Sequence, residues 1–219
     1  MIGKDYLKVY IASPDSLDDP ETFRRVYSEF PDFRKEKTGR YNNTAVRNQS
    51  AAAFGLLIHG LKKLGFQMTA PDIWNELGFA IGEHDKPYFA NRPDICFSLS
   101  HTKGCVLCVI SGVNCGCDIE RIDRRTGTDE LLRIAKRVFT DRERDSVTDA
   151  ESFYRIWTRR EAYVKYTGEG IAGMDPELDI ESGGVCLQTV SMESHLISVC
   201  LPEDGYRIIR EIKPEVVRL

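Results

Sequence analysis

The sequence has no long apolar run and no excess of positive charge. Its first residues, MIGKDYLKVYIAS, hold only a short apolar stretch interrupted by charges, and no segment approaches the roughly 18 uninterrupted apolar residues of a membrane span. The formal net charge of −4 argues against wholesale nucleic-acid binding, because a protein that neutralises many phosphates carries a basic excess. We therefore expect a cytoplasmic protein that binds neither membrane nor nucleic acid, with any phosphate recognition kept local.

The cysteines lack the pattern of a disulfide framework or a zinc site. Their number, seven, is odd, and most lie in apolar runs such as CVLCVIS, where free cysteine behaves as a small hydrophobic residue. Cys105 and Cys108 would face opposite sides of a strand, so their C-x-x-C spacing does not suit zinc. This usage fits a reducing compartment.

Hydrophobic periodicity predicts an α+β chain. Alternation over residues 7–12 indicates a strand, and helical spacing predicts a helix over residues 19–33, which Pro31 would end. Further helices are predicted over residues 50–64, 131–139 and 152–166, and strands in ICFSLSH, CVLCVISG, CGCDIERI, GGVCLQTV, HLISVCLP and YRIIREI. The order of elements suggests two comparable halves, 1–110 and 111–219, without a sequence repeat.

Two acids in the segment GCDIE are candidate metal ligands. Asp118 and Glu120 are two apart on a predicted strand, so both side chains project from one face. Two like charges this close repel each other, and a hard cation such as Mg²⁺ between them would make the arrangement favourable. From this pair alone, a solvent-facing strand with two acids explains the pattern equally well.

The helix containing WTRREAYVK carries a third acid and a base. Trp157, Glu161 and Lys165 are four apart and lie along one stripe. Taken alone, Glu161 and Lys165 are more simply a surface ion pair worth about 0.3–0.5 kcal/mol. Phosphoryl transfer, however, needs carboxylates and a cation near a metal and a diphosphate, and this helix provides both.

The segment SLSHT ends a predicted strand with hydroxyls and an imidazole. Ser100, His101 and the preceding Lys86 could hold phosphate oxygens. A structural histidine is the simpler explanation for His101. A serine hydrolase is disfavoured, because no G-x-S-x-G elbow surrounds Ser100 and adjacent strand residues face opposite ways.

Together, these motifs resemble those of the Sfp-type phosphopantetheinyl transferase family. The matching segments are KPYF at 86–89, FSLSHT at 97–102, GCDIE at 116–120, KRVF at 136–139 and WTRREAYVK at 157–165. The resemblance implies two similar α/β halves related by a pseudo-twofold axis, with coenzyme A in the cleft between them. It also implies that Asp118, Glu120 and Glu161 are ligands of Mg²⁺.

The resemblance further implies a reaction. Such enzymes transfer the 4′-phosphopantetheine group of coenzyme A to a serine of an apo acyl or peptidyl carrier protein, releasing 3′,5′-ADP, in fatty-acid or secondary-metabolite biosynthesis. On this hypothesis Lys165 stabilises the leaving group, while Lys86, Ser100 and His101 hold the nucleotide end. The base is either Glu161 or a water on the metal.

Basic residues extend the hypothesis to the phosphates and to the carrier. Arg47, together with Arg34, Lys37 and Arg40, is similar to the family's basic region for the nucleotide 3′-phosphate. A second group follows the GCDIE strand, and we expect it to attract an acidic carrier. Its members are Arg121, Arg124, Arg125, Lys136 and Arg137. A solvated helix flank explains each of these residues separately at least as well.

Two positions depart from the family pattern, and two rival functions stay open. Asp85 stands where a glycine usually precedes Lys-Pro, and Arg160 stands where a lysine usually precedes the helical glutamate. The rivals are another metal-dependent phosphoryl or nucleotidyl transferase and a non-catalytic coenzyme A-binding relative. A purely structural protein would make every motif a coincidence. Since one chain would contain both halves, we expect a monomer.

Overall fold

Three β-sheets and seven α-helices are present in residues 6–70, 72–204 and 211–219, which the computed structural model describes apart from the side chains of residues 171 and 172. The strands are β1 (Leu7–Ala12), β2 (Phe79–Ile81), β3 (Pro87–Phe89), β4 (Cys96–Thr102), β5 (Cys105–Ser111), β6 (Gly116–Arg121), β7 (Val185–Met192), β8 (His195–Pro202) and β9 (Glu215–Val216). The helices are α1 (Pro20–Ser28), α2 (Asp32–Gly39), α3 (Thr44–Lys63), α4 (Ile73–Leu77), α5 (Thr128–Val138), α6 (Asp141–Asp145) and α7 (Ala150–Thr167).

The two larger sheets repeat one topology. The first has the strand order β4-β5-β1-β9 and the second has the order β6-β8-β7. Helix α3 packs on β5, β4 and β1, and α7 packs on β6, β8 and β7. In each case a strand is followed by a long helix and then by an antiparallel hairpin that pairs with that strand. The predicted α+β fold with two similar halves is therefore confirmed.

The connection between the two sheets bears on the predicted division at residue 110. The chain leaves β5 at Ser111 and enters β6 at Gly116, and β6 pairs with β8 rather than with β5. Near the other end, β9 returns to the first sheet and pairs in parallel with β1. The boundaries 1–110 and 111–219 stay a prediction.

The two sheets contact each other, and the long helices cover their other faces. Alternate residues of β5, Val106, Cys108 and Ile110, pack in the core beside α3. Their neighbours Leu107 and Val109 belong to a second core formed with the other sheet. Its members from that sheet include Cys117, Ile119, Cys186, Ile197, Val199 and Leu201. The period of two in each strand thus lets one strand contribute to two cores.

Most predicted elements are present, with two differences in the first half. The helix predicted over residues 19–33 is divided, because α1 ends at Ser28 and Pro31 stands at the N-cap of α2. Helix α3 begins at Thr44, where Asn43 Oδ1 accepts the N–H of Val46 at 3.1 Å. Its first turns are polar, so the hydrophobic pattern does not reveal them. The strand predicted in YRIIREI lies mostly outside the described residues.

Arg160 fixes α7 to neighbouring segments. Its side chain is 1% exposed and pairs with Glu143, with 2.7 Å between Nη2 and Oε2. Nη1 donates to the carbonyl of Asp175 at 2.9 Å, and Nη2 donates to that of Leu178 at 2.9 Å. This use of the planar guanidinium explains why arginine is suitable where the family that the motifs resemble usually has lysine.

We expect Arg160→Lys to lower the free energy of unfolding by about 2–3 kcal/mol, because an ammonium cannot satisfy Glu143 and two carbonyls in separate directions. Urea denaturation of the two proteins measures the difference. Arg155→Lys is the matched control, since Arg155 on the same helix makes only an exposed pair with Glu151, and it should cost less than about 0.5 kcal/mol. Equal stability of the Arg160 variant and the native protein would contradict this role.

Candidate active site

Two adjoining cavities share β4 as a wall, and the smaller of them is also lined by the end of α7. The first, of about 280 Å³, is lined by residues that include Lys86, Glu161 and Lys165. The second, of about 620 Å³, is lined by residues that include Phe33, Arg34, Phe79 and His101. Four residues, Asp85, Pro87, Phe97 and Leu99, line both. Both halves of the predicted fold contribute side chains to this cleft, as expected.

Asp118 is at the centre of the polar contacts in the cleft. Its Oδ1 atom accepts hydrogen bonds from Lys165 Nζ at 2.7 Å and from Ser100 Oγ at 2.6 Å. The other carboxylate oxygen, Oδ2, is buried and has no hydrogen-bond partner. The side chain as a whole is only 5% exposed. A buried anionic oxygen without a partner is costly, so this position favours an additional cation.

The two other predicted acids share this environment. Burial raises the pKa of Glu120 to about 7, and the charge of Asp118 adds to the shift. Burial also raises the pKa of Glu161. The charge of Lys165 lowers this pKa and the charge of Asp118 raises it, and the net shift is upward. The three acids are thus brought close enough to repel one another electrostatically. Within the described residues, no three His, Cys, Asp or Glu side chains are already arranged as a complete metal-ligand set.

Lys165 partly compensates for this negative charge. Burial lowers the pKa of Lys165, but the neighbouring negative groups, with Asp118 foremost, together outweigh burial, and the net shift of the pKa is upward. The predicted neighbour on the helix, Glu161, contributes less to this shift than Asp118 does. The lysine is therefore held as an ammonium by a partner on another element.

The remaining predicted residues have different positions. His101 lines the larger cavity, on the opposite side of β4 from Ser100. Lys86 lines the smaller cavity, but its Nζ donates to the carbonyl of Tyr166 at 2.7 Å and to Asn114 Oδ1 at 2.9 Å. Burial lowers the pKa of Lys86. Their roles in coenzyme binding stay predictions.

Among the described residues, Arg47 does not line either of the two cavities. Its guanidinium lies over the ring of Phe23, with Cζ 4.3 Å from the centroid, and bonds to Asn48 Oδ1. Arg34, by contrast, lines the larger cavity, where Nη2 donates to Ser50 Oγ at 2.6 Å and Nε is buried without a partner. Arg34 is thus better placed than Arg47 to contact a ligand.

Aromatic side chains form a wall of the larger cavity that the motifs did not indicate. Phe33 stacks on Phe79 with 4.6 Å between ring centroids, and both line the cavity together with Phe54 and Phe97. Phe33 remains 42% exposed. These residues come from separate helices and strands, so no local sequence pattern could have assembled them.

The matches to known proteins agree with this geometry. Residues 114–205 match the profile of the 4′-phosphopantetheinyl transferase superfamily. A 4′-phosphopantetheinyl transferase of Bacillus subtilis is 29% identical over 199 residues, covering 87% of this chain and 72% of the relative. The enzyme Sfp of Bacillus subtilis strain 168 is 26% identical over 170 residues, covering 75% and 70% respectively. The transferase gsp of Aneurinibacillus migulanus is 32% identical over 170 residues, covering 74% and 66%.

The chain belongs to the Sfp-type 4′-phosphopantetheinyl transferase family. Its enzyme class is therefore that of the 4′-phosphopantetheinyl transferases, as the motifs predicted. In the described part of this transferase, no helix is both long enough and apolar enough to cross a membrane.

The family position occupied by Asp85 has a backbone reason to prefer glycine. Asp85 has φ = 63° and its neighbour His84 has φ = 52°, so both lie in the left-handed region. Glycine adopts this region without steric cost, and aspartate is among the residues that tolerate it best. Asp85 thus preserves the turn at the wall of both cavities although it replaces the glycine that is usual in the family.

We expect Asp85→Gly to leave the free energy of unfolding of the transferase within about 0.5 kcal/mol of native, whereas Asp85→Val should lower it by about 1–2 kcal/mol, because a β-branched residue is strained at positive φ. Chemical denaturation of both variants gives the comparison. A valine variant as stable as the glycine variant would show that φ at this residue is not positive.

We also expect the stability of the metal-free transferase to depend on Glu120. With a pKa of about 7 when folded and 4.5 ordinarily, Glu120 keeps its proton in the folded state across a window where the unfolded chain has lost it. Stability therefore falls as pH rises through that window. At about pH 8 in EDTA, Glu120→Gln should be more stable than native by on the order of 1 kcal/mol or more, with a smaller difference at about pH 5.

Urea denaturation at the two pH values measures this effect. Glu177→Gln removes an exposed glutamate and is the control, with an expected change of less than about 0.5 kcal/mol at either pH. If Glu120→Gln keeps the native pH dependence, Glu120 does not carry the raised pKa.

Proposed function

We propose that this transferase moves the 4′-phosphopantetheine group of coenzyme A to a serine hydroxyl of an apo acyl or peptidyl carrier protein, releasing 3′,5′-ADP, with Mg²⁺ held by Asp118, Glu120 and Glu161. The observation that carries the proposal is the Asp118 carboxylate. One of its oxygens accepts bonds from Ser100 and from Lys165, which lines the smaller cavity, while the other oxygen is buried without a partner. Family membership supplies the reaction class.

The residues present suit a magnesium ion. Carboxylate oxygens are the protein ligands that Mg²⁺ prefers, and it keeps several positions for water and substrate phosphate. Burial and the charge of Asp118 raise the pKa values of Glu120 and Glu161, and a divalent cation beside them would favour their ionised forms. When bound, Mg²⁺ supplies positive charge against the diphosphate of coenzyme A.

The larger cavity suits the nucleotide end of coenzyme A. Its basic lining residues, Arg34 and Lys37, provide N–H donors for phosphate, and His101 adds a ring nitrogen. Arg34 is held in place by Ser50 and by its position over the ring of Phe54, 4.8 Å from Cζ to the centroid. The aromatic wall provides an apolar surface for a planar base. Lys86 lines the smaller cavity, and Ser100 bonds to Lys165, which also lines it; both would contact the diphosphate. Arg47 would have to leave Phe23 to reach any phosphate.

The chemistry requires a proton acceptor and a cation at the leaving group. The serine oxygen of the carrier forms a bond to the phosphorus that bears pantetheine, and the bond from that phosphorus to the oxygen of 3′,5′-ADP breaks. Glu161 lines the smaller cavity and is the candidate acceptor of the serine proton. Lys165 lies one helical turn further along and would stabilise the negative charge that develops on the leaving diphosphate oxygen.

Charge and topology support the proposed carrier partner, the monomeric state and the cytoplasmic setting. The basic residues that follow β6 would attract an acidic carrier, and of these Arg124 and Arg125 form only exposed ion pairs, with Glu151 and Asp123. One chain contributes both sides of the cleft, which suits a monomer. No disulfide joins any of the seven cysteines, all of which lie within the described residues, and this suits a reducing cytoplasm.

We expect Asp118→Asn to lower the rate of transfer by about 100-fold or more, because the amide keeps the volume but loses the charge at the centre of the site. Asp118→Ala, which removes the whole carboxylate, should abolish transfer. The assay follows the mass gain of an apo carrier together with release of 3′,5′-ADP, and EDTA should stop both until Mg²⁺ is restored.

Asp141→Asn is the matched control, since Asp141 is exposed on α6 and pairs only with Arg144. Its activity should equal that of the native transferase. Normal magnesium-dependent activity in Asp118→Asn would overturn the assignment. Release of a different nucleotide, or turnover of a substrate other than coenzyme A, would instead favour another phosphoryl or nucleotidyl transferase.

A further inference from the structure

Strands β4 and β6 belong to different sheets, yet hydroxyl side chains join their edges. β4 pairs with β5, and β6 pairs with β8. Alternate residues of β4 carry hydroxyls, and each of them bonds to β6. They are Ser98, Ser100 and Thr102. Because residues two apart project from one face of a strand, this pattern aims a row of hydroxyls at the neighbouring sheet.

The first two hydroxyls fix the backbone of β6 and its first acid. Ser98 Oγ accepts the N–H of Cys117 at 3.1 Å, and so satisfies a backbone donor at the edge of the second sheet. Ser100 Oγ donates to Asp118 Oδ1 at 2.6 Å. The row therefore continues along β6 in register with the acids.

The third hydroxyl contacts the second acid. Thr102 Oγ1 donates to Glu120 Oε2 at 2.9 Å and accepts the N–H of Arg121 at 3.4 Å. The backbone of Thr102 is itself fixed by α3, because the Thr102 carbonyl oxygen accepts a hydrogen bond from Gln49 Nε2 at 3.1 Å. The hydrogen-bond partner of Glu120 is therefore anchored to α3, a helix that packs on the first sheet, whereas Glu120 belongs to the second sheet.

From this geometry we propose that Thr102 is a positioning residue that holds the Glu120 carboxylate in the orientation for binding the divalent cation. This inference rests on the proposed function, since it takes Glu120 as a ligand. A glutamate side chain has several freely rotating bonds. A glutamate that no hydrogen bond holds in place therefore loses more conformational entropy when it binds a metal ion. Partners that orient metal ligands typically contribute 10–100-fold to metal affinity, on the order of what we expect here.

The test compares Thr102→Val with Thr102→Ser in the full chain. Valine matches threonine in shape but cannot donate to Glu120, whereas serine can. Thr22→Val is the control, because Thr22 Oγ1 donates to Asp19 Oδ2 at 2.8 Å on exposed α1 and loses the same kind of bond away from the cleft. The probe is Mn²⁺ alone, titrated against each protein and followed by the electron paramagnetic resonance of free Mn²⁺.

We expect Thr102→Val to weaken Mn²⁺ binding by about 10-fold or more, with Thr102→Ser within about 3-fold of native and Thr22→Val unchanged. The Mg²⁺ concentration for half-maximal transfer should rise in parallel in Thr102→Val, while the KM for coenzyme A at saturating Mg²⁺ stays near native. A merely structural role would lower the melting temperature without this selective change.

Two results would overturn the inference. The first is native Mn²⁺ affinity in a folded Thr102→Val protein, and the second is equal weakening in the valine and serine variants. The proposed function fails separately: if the native protein binds no Mn²⁺ and its transfer needs no divalent cation, Glu120 is not a ligand and Thr102 has no ligand to position.

Discussion

The ion pair between Lys165 and Asp118 is the interaction on which the cleft depends. It joins α7 to β6 across 2.7 Å, and the same Asp118 oxygen also binds Ser100 of the other sheet. Removing a carboxylate from water is costly unless its charge is compensated, so these contacts allow an acid that is only 5% exposed to stay at this position. Glu120 and Glu161 then follow from the period of their strand and helix. One pair of opposite charges thus determines where the other polar side chains of the cleft converge.

Much of the fold could be predicted because its strands and α7 have strong local patterns. The alternation in GCDIE places Asp118 and Glu120 on one face, and the spacing of four places Glu161 and Lys165 along one stripe. The sequence did not indicate that Lys165 pairs with Asp118 instead of its helical neighbour, because that contact links residues on separate elements. The polar start of α3 and the position of Arg47 over Phe23 were missed for related reasons: a cap and a stacking contact leave no hydrophobic periodicity.

The departures from the family pattern become understandable once local geometry is known. Arg160 is not at the cleft surface but buried against Glu143 and two carbonyls, a role that depends on its planar shape. Asp85 occupies a backbone conformation that glycine favours and aspartate tolerates. The alternating hydroxyls of FSLSHT are likewise only partly explained by phosphate binding, because Ser98 and Thr102 bond to β6. A motif can therefore record constraints on backbone and sheet contacts as well as on ligands.

The return of β9 to the first sheet changes how the two halves are connected. After the second sheet is complete, Val217 donates its N–H to the carbonyl of Ile11 at 2.8 Å, and Val217 and Leu219 pack in the core beside α3. The halves are consequently joined at two places, once by the covalent link before β6 and once by this strand. Two connections at separate places resist a hinge motion between the halves, whereas a single linker would permit it. The spacing between the walls of the cleft is thereby held without a cross-link, and loss of one half would expose an unpaired edge on the other.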